Sequence, residues 1–190
     1  MGDLRRLSHI VGFDDAPFSR DYRGDVLLVG AVYAGLRLEG VLSTTVRRDG
    51  VNSTDKLATV VEKSRFGSQV QGILLQGIAF AGFNVVDLCR LHEWLSVPIV
   101  AVARKMPDRE AIRRALLTRV PGGLRKWRLI ERLGPMESAA GVFVQRVGLS
   151  LQDVEMLLRR LAINSALPEP LRTAHLIAGG IALGESRHRA

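Results

Sequence analysis

Apolar runs of strand length follow one another through the first quarter of the chain. Apolar residues dominate residues 8–14 and 26–37, and residues 39–48 partly alternate apolar and polar positions in the stretch VLSTTVRR. Both patterns are typical of strands, and the connections between the runs are rich in turn residues. The three runs therefore predict an antiparallel meander.

Strands and helices alternate through the middle of the chain. Apolar runs at residues 70–75 and 97–103 predict buried strands, and the spacing of apolar residues at 52–64 and 84–95 predicts helices. This order favours parallel strands with helices on the faces of the sheet, an α/β architecture whose ligand sites lie at the carboxyl ends of strands. Further elements are expected as helices at 111–117, at 124–133, from Ser150 onward and at 168–183, and as a short strand at 141–145.

The composition fits one globular unit without disulfides. The chain has 190 residues, 47% of them hydrophobic, and we expect a single domain over residues 1–190. Cys89 is the only cysteine, so no disulfide partner is expected. The N-terminal segment has no apolar core of signal-peptide length, and the longest apolar run, at 26–36, is too short to span a bilayer. These observations predict a cytoplasmic protein with no membrane partner.

Positive charge is concentrated in one segment. The chain carries a net charge of +8, and residues 104–132 contain ten basic and three acidic residues, a local balance of +7. Arginine binds phosphate well, and Trp127 within the segment offers a surface for base stacking, so nucleic acid is a predicted partner. A solvated helical face is the alternative interpretation. The predicted backbone contacts are Arg104, Lys105, Arg109, Arg113, Arg125, Lys126 and Arg128.

Polar side chains follow several of the predicted strands. Asp14 and Asp15 end the first strand, Asp49 follows the third, and Gln76 follows the fourth. If these strands lie side by side, the four side chains converge and supply oxygen ligands of the kind that magnesium and manganese prefer. The alternative is that acidic residues are simply common in the loops that follow strands.

Several sequence blocks resemble those of endonuclease V. VGFDDA, RRDGVNSTDKL, GILLQGIAFAGF, VPIVAVARK, GVFVQRVGLSLQDVEMLLRRLA and LPEPLRTAHLIA occur in the order of that family's motifs. GFDDAPF, GIAFAGFNVVD and PEPLRTAHLIA resemble more closely an uncharacterised, mainly archaeal family related to endonuclease V. The resemblance implies a ribonuclease H-like mixed sheet of five strands, three antiparallel and then parallel, flanked by helices. It also implies cleavage of nucleic acid near inosine with a divalent metal, magnesium or manganese.

The resemblance assigns roles to individual residues. The family's first-strand aspartate falls on Asp14, with Asp15 as its neighbour in a supporting position, and its catalytic glutamate falls on the shorter Asp49. The lysine that ends the family's VAK strand falls on Arg104, and the active-site histidine of the last helix falls on His175. Without the resemblance, His175 is a residue on a helix face. These assignments make Asp14, Asp49, Arg104 and His175 the expected catalytic residues.

Two departures from the family pattern keep the function open. The family's second metal-binding aspartate falls on Gln76, whose neutral amide weakens the attraction for a divalent ion. The aromatic-proline wedge that endonuclease V inserts at its lesion has no counterpart in GLRLEGVLSTTVRR. One hypothesis is a magnesium- or manganese-dependent phosphodiester hydrolase that uses Asp14, Asp49 and Gln76 as ligands. The alternatives are a non-catalytic nucleic-acid-binding relative and an enzyme for a small phosphoester or a modified nucleotide.

Overall fold

The computed structural model describes residues 7–186, so residues 1–6 of the N-terminal segment considered above lie outside the described residues. The described chain forms a large sheet, a small two-stranded sheet and flanking helices. The strands are β1 (His9–Asp15), β2 (Asp25–Ala34), β3 (Arg37–Arg47), β4 (Gly72–Gln76), β5 (Ala79–Phe80), β6 (Asn84–Val85), β7 (Ile99–Ala103), β8 (Glu137–Ala139) and β9 (Val142–Val147). The helices are α1 (Ser53–Glu62), α2 (Leu88–Leu95), α3 (Arg109–Arg119), α4 (Gly123–Arg132), α5 (Leu151–Leu161) and α6 (Glu169–Leu183).

The large sheet has seven strands in the order β3-β2-β1-β4-β7-β9-β8. β1, β2 and β3 form the predicted antiparallel meander, whereas β1, β4 and β7 run parallel. The predicted mixed α/β sheet is therefore confirmed, with its five strands in consecutive positions. The sheet is wider than five strands because β9, predicted as a short strand at 141–145, pairs with β7, and β8 pairs with β9.

Helix α2 begins later than the predicted residue 84. Asp87 accepts a hydrogen bond from the Arg90 backbone N–H at 3.1 Å and so caps the helix. Asn84 instead belongs to β6, where its buried side chain accepts from the Ser53 backbone N–H at 3.0 Å and donates to the Arg47 carbonyl at 2.8 Å. The amide thus joins β6 to the start of α1, a tertiary role that the helical spacing of apolar residues cannot indicate.

Each face of the sheet has its own core because side chains alternate along the strands. In β4, Ile73 and Leu75 join the core beneath α1 and α2, and Leu74 joins the core beneath α5 and α6. A third, smaller core holds Trp127 and Leu116 between α3 and α4, close to the β5–β6 hairpin. No helix within residues 7–186 is both long and apolar enough to cross a bilayer.

Helix α6 lies in unusually close contact with β1. A Cβ atom added at Gly12 would stand 2.4 Å from the carbonyl carbon of Pro170 and 2.6 Å from the backbone nitrogen of Leu171. Only glycine permits this approach of two backbones. The contact brings the first turn of α6 against the middle of β1, two residues before Asp14.

Candidate functional site

The carboxyl ends of β1, β4 and β7 meet at one edge of the sheet because the three strands are parallel neighbours. An open cleft of about 720 Å³ lies at this edge and is called the strand-end cleft below. Of the six residues predicted for catalysis, metal binding or their support, five line this cleft and Asp49 does not. The polar residues that line the cleft are Asp14, Asp15, Gln76, Arg104, Lys105 and His175.

Asp14 and His175 form a hydrogen-bonded pair in the cleft. His175 Nδ1 lies 2.8 Å from Asp14 Oδ2, while Asp14 Oδ1 accepts from the Asp15 backbone N–H at 2.9 Å. Burial raises the pKa of Asp14, which is only 4% exposed, and the hydrogen bond with His175 opposes that rise. The same hydrogen bond is the main cause that raises the pKa of His175. The histidine therefore keeps its proton to higher pH than an isolated imidazole does.

Asp15 holds the loop that follows β5. Its Oδ2 accepts a hydrogen bond of 2.6 Å from the backbone N–H of Ala81. Burial is the main cause that raises the pKa of Asp15 to about 6, and the negative charge of Asp14 adds to the rise. Two neighbouring carboxylates thus sit in a poorly solvated part of the cleft, an environment that favours a bound cation or proton.

Asp49 follows the end of β3 and is not among the described residues that line the cleft. Its Oδ1 accepts from the Phe83 backbone N–H at 2.8 Å, and a Cβ atom at Gly82 would come within 2.5 Å of that oxygen. Its backbone N–H donates to the Ala81 carbonyl at 2.9 Å. Asp49 therefore holds, from a second side, the same loop that Asp15 holds.

Gln76 ends β4 and lines the cleft between the ends of β1 and β7. Its Oε1 is buried, and no described residue donates a hydrogen bond to it. A buried oxygen without a partner is costly, so it marks a place for a ligand. Together with the carboxylates of Asp14 and Asp15, this oxygen matches the donor type that magnesium and manganese prefer. Among the described residues, however, no group of three or more His, Cys, Asp or Glu side chains is arranged to hold a metal.

The basic segment supplies charge to the cleft and to the surface beside it. Arg104 and Lys105 are exposed and line the cleft, and Arg125 and Arg128 are exposed on α4. Lys126, by contrast, is 2% exposed and donates through Nζ to the carbonyl of Asp49. The structure therefore corrects its assignment as a surface contact, because its ammonium group joins α4 to the end of β3.

Trp127 also differs from its predicted role as a stacking surface. It is 6% exposed, and its ring lies beneath the guanidinium groups of Arg109 and Arg113, at 5.2 Å and 6.0 Å from the ring centre. Its indole N–H donates to Glu131 at 3.3 Å. The indole is thus part of the small α3–α4 core, and the two arginines are the part of this cluster that reaches solvent.

Phe18 is a site residue that the sequence did not indicate, and Arg48 packs against it. Phe18 forms part of the cleft wall, and the guanidinium of Arg48 lies 5.5 Å from the centre of its ring. Arg48 also donates to the carbonyls of Arg20 and Tyr22, which fixes the connection between β1 and β2. An arginine at the end of a strand resembles a solvated residue, so only the fold reveals this role.

Comparison with known proteins gives consistent results over nearly the whole chain. A family model described as Endonuclease dU matches residues 6–182. A UPF0215 protein of Deinococcus radiodurans is 56% identical over 95% of this chain and 92% of its own length. A UPF0215 protein of Methanothermobacter thermautotrophicus is 45% identical over 95% of this chain and 91% of its own length. The predicted membership of a mainly archaeal family is confirmed.

Solved structures show the same fold. A protein of unknown function from Archaeoglobus fulgidus superposes with a TM-score of 0.84 at 32% identity, covering 91% of this chain and 97% of that one. Endonuclease V of Ciona intestinalis, in complex with DNA containing an inosine followed by a ribo-adenosine, superposes with a TM-score of 0.57 at 13% identity, covering 90% and 84% of the two chains. Human endonuclease V gives a TM-score of 0.53 at 17% identity, covering 90% and 83%. The predicted endonuclease V-like fold is therefore confirmed.

Proposed function

The chain belongs to the endonuclease dU family, and from this membership we propose that it binds nucleic acid and cuts the phosphodiester backbone of DNA at deoxyuridine with Mg²⁺ or Mn²⁺. The letters dU in the family name are the usual abbreviation of deoxyuridine. The proposed substrate therefore differs from the inosine-containing DNA bound by endonuclease V of Ciona intestinalis. The aromatic-proline wedge that endonuclease V inserts at its lesion has no counterpart in GLRLEGVLSTTVRR, which supports that difference.

The observation that carries the proposal is the Asp14–His175 pair in a cleft that also contains Arg104 and Lys105. The two basic side chains provide positive charge for a bound phosphate. His175 is oriented by Asp14 through Nδ1, which leaves Nε2 as the ring nitrogen available to a substrate. Because its pKa is raised, His175 is a source of a proton for the departing oxygen of the phosphodiester.

Asp14 and Gln76 would hold the divalent ion, and Asp15 offers a further carboxylate at the same edge. Such an ion, when bound, polarises the phosphoryl group and lowers the pKa of water. The unpartnered buried oxygen of Gln76 supports this assignment, because an ion would satisfy it. Asp49 acts as a positioning residue in this proposal, through the loop that it shares with Asp15.

Cleavage of end-labelled oligonucleotides tests the proposal. Purified protein is incubated with single-stranded and duplex DNA and RNA carrying deoxyuridine, deoxyinosine or only ordinary bases, in Mg²⁺, in Mn²⁺ and in EDTA. We expect metal-dependent cleavage of the deoxyuridine DNA, reduced about 100-fold or more in Asp14→Asn because that variant loses a carboxylate charge in the cleft. Asp21→Asn, the same change at an exposed position, is the control. Equal activity of the Asp14 and Asp21 variants would exclude the strand-end cleft as the active site.

A second candidate function is a nucleic-acid-binding protein without catalytic activity. Gln76 in place of an aspartate favours it, as does the lack of a group of three His, Cys, Asp or Glu ligands among residues 7–186. The same experiment separates the two functions. Salt-sensitive binding of DNA by the wild type and by Asp14→Asn, with no cleavage in any metal, would support the binding protein.

A further inference from the structure

A second cavity of about 230 Å³ lies beside the strand-end cleft and is called the α3–α4 cavity below. Its walls come from the turn after β4, from α3 and α4, and from the segment that leads into β8. The walls are almost entirely apolar, with Arg109 and Gln145 as the polar exceptions. The apolar side chains that matter below are Ile78, Met106, Ile112, Ile130 and Met136.

The cavity and the cleft share two short stretches of chain. Gly77 and Lys105 line the cleft, and the residues that directly follow them, Ile78 and Met106, line the cavity. The two spaces therefore adjoin at these two stretches of chain. Gly77, with φ at +85°, turns the chain between them. This adjacency would let a nucleotide place its phosphate in the cleft and its base in the cavity.

Gln145 gives the cavity one oriented hydrogen-bond acceptor. The residue is 5% exposed, and its Nε2 donates to the carbonyl of Gly134 at 2.7 Å, which fixes the orientation of the amide. Its Oε1 is the acceptor end of the same fixed amide, and the residue lines the cavity. A fixed acceptor in an apolar wall selects ligands that present an N–H group. The Watson–Crick edge of uracil presents one such group, at N3.

Arg109 lies at the same cavity and connects it to the basic segment. Its guanidinium packs over the buried ring of Trp127, so its position is fixed by the α3–α4 core. A nucleotide with its base in the cavity would have its backbone near this charge. Enzymes that act at a single base commonly extrude that base into an apolar pocket and bind its Watson–Crick edge.

We propose that the α3–α4 cavity binds an extruded uracil base and that Gln145 Oε1 accepts a hydrogen bond from its N3–H. The choice of uracil rests on the proposed function. The cavity itself is defined by its own geometry. Gln145 is thus a specificity residue that touches the base, and Ile112 and Ile130 are the walls that exclude water from it.

Methyl NMR of the methionine residues tests the proposal without any cleavage. Met106 and Met136 line the cavity, whereas Met156 lies on α5, away from it, and is the internal reference. Protein with labelled methionine methyl groups is titrated in EDTA with single-stranded DNA that carries one deoxyuridine, and with the same strand carrying an abasic site. We expect the Met106 and Met136 signals to shift only with the deoxyuridine strand. Equal shifts with both strands, or shifts with neither, would overturn the proposal.

Two variants test the same contact by affinity. Gln145→Leu removes the acceptor, and Ile112→Trp fills the cavity. Each should reduce the preference for the deoxyuridine strand over the abasic strand by about tenfold, the effect of one lost buried hydrogen bond or more. Gln69→Leu, at an exposed glutamine, should keep the preference. A wild-type preference in both cavity variants would overturn the proposal.

The outcomes for the cavity and for the proposed function are separable. Methyl shifts specific for uracil without cleavage in any metal would support the cavity and reject the nuclease activity. Metal-dependent cleavage with the Met106 and Met136 signals unmoved would support the nuclease and reject the cavity.

Discussion

Replacement of Gly12 by alanine should separate α6 from β1. The added Cβ atom would lie 2.4 Å from the Pro170 carbonyl carbon and 2.6 Å from both the Pro170 oxygen and the Leu171 nitrogen. All three are backbone atoms at the start of a helix, so no side-chain rotation relieves the contact. Overpacking commonly costs about 1–3 kcal/mol, and a clash with backbone belongs at the upper end of that range. We therefore expect Gly12→Ala to lower the free energy of unfolding by about 3 kcal/mol.

Gly180→Ala is a matched control, because it adds the same methyl group to α6 itself. There the nearest atom to the new Cβ is Ser186 Oγ at 3.7 Å, an ordinary contact. Alanine is favoured over glycine within a helix, so this variant should be more stable than the wild type by about 0.5–1 kcal/mol. Urea unfolding of the three proteins measures both changes. If Gly12→Ala were as stable as Gly180→Ala, the close approach of α6 and β1 would be wrong.

The same pair of variants tests how the fold positions the site. His175 lies on α6 and reaches Asp14 on β1, so displacement of the helix breaks their hydrogen bond. Because this bond is the main cause that raises the pKa of His175, the pKa should fall toward its ordinary value in Gly12→Ala and stay raised in Gly180→Ala. An NMR titration of the histidine ring in EDTA measures the difference. An unchanged pKa in folded Gly12→Ala would show that α6 keeps its place despite the added methyl group.

Three further changes have clear expected outcomes. Lys126→Met leaves the Asp49 carbonyl without its hydrogen-bond donor, so urea unfolding should show a free energy of unfolding lower by about 1–3 kcal/mol. Unchanged stability would contradict the internal role of this lysine. Arg125→Gln combined with Arg128→Gln should weaken DNA binding without changing stability. The slope of log affinity against log salt concentration should become shallower by about 0.7 for each lost phosphate contact, and an unchanged slope would exclude this face of α4 as a DNA contact. Gly82 has a φ of +83°, and a Cβ atom added there would lie 2.5 Å from Asp49 Oδ1. Gly82→Ala should therefore lower the urea midpoint of unfolding, and wild-type stability would refute the geometry of the loop after β5.

The central part of the fold could be predicted because it depends on local patterns. Apolar runs located β1, β4 and β7, and the polar residues directly after them located Asp14 and Gln76 at the same edge of the sheet. The N-cap of α5 was equally local: Ser150 accepts from the Asp153 backbone N–H at 3.1 Å. For such features the chain carries its own signal, because neighbouring residues make the contacts that matter.

Features that depend on distant contacts could not be predicted. Lys126 and Arg125 are adjacent in a basic stretch, yet one is buried and the other exposed, because only one faces the end of β3. Asp49 follows a strand as Asp14 does, but its oxygen is used by the Phe83 backbone N–H. In both cases the partner lies more than 30 residues away, so neither spacing nor composition indicates it.

The charges in the strand-end cleft bear on how the proposed substrate and ion would bind there. Asp14 and Asp15 contribute −2, Arg104 and Lys105 contribute +2, and a protonated His175 adds +1, so the described side chains give a balance of 0 to +1. An aspartate in place of Gln76 would shift that balance by −1 and favour a divalent cation. The neutral glutamine avoids that additional repulsion of a phosphate group when no cation is bound. In the proposed function, the nucleic acid would therefore bind first, and its phosphate would add negative charge for the ion.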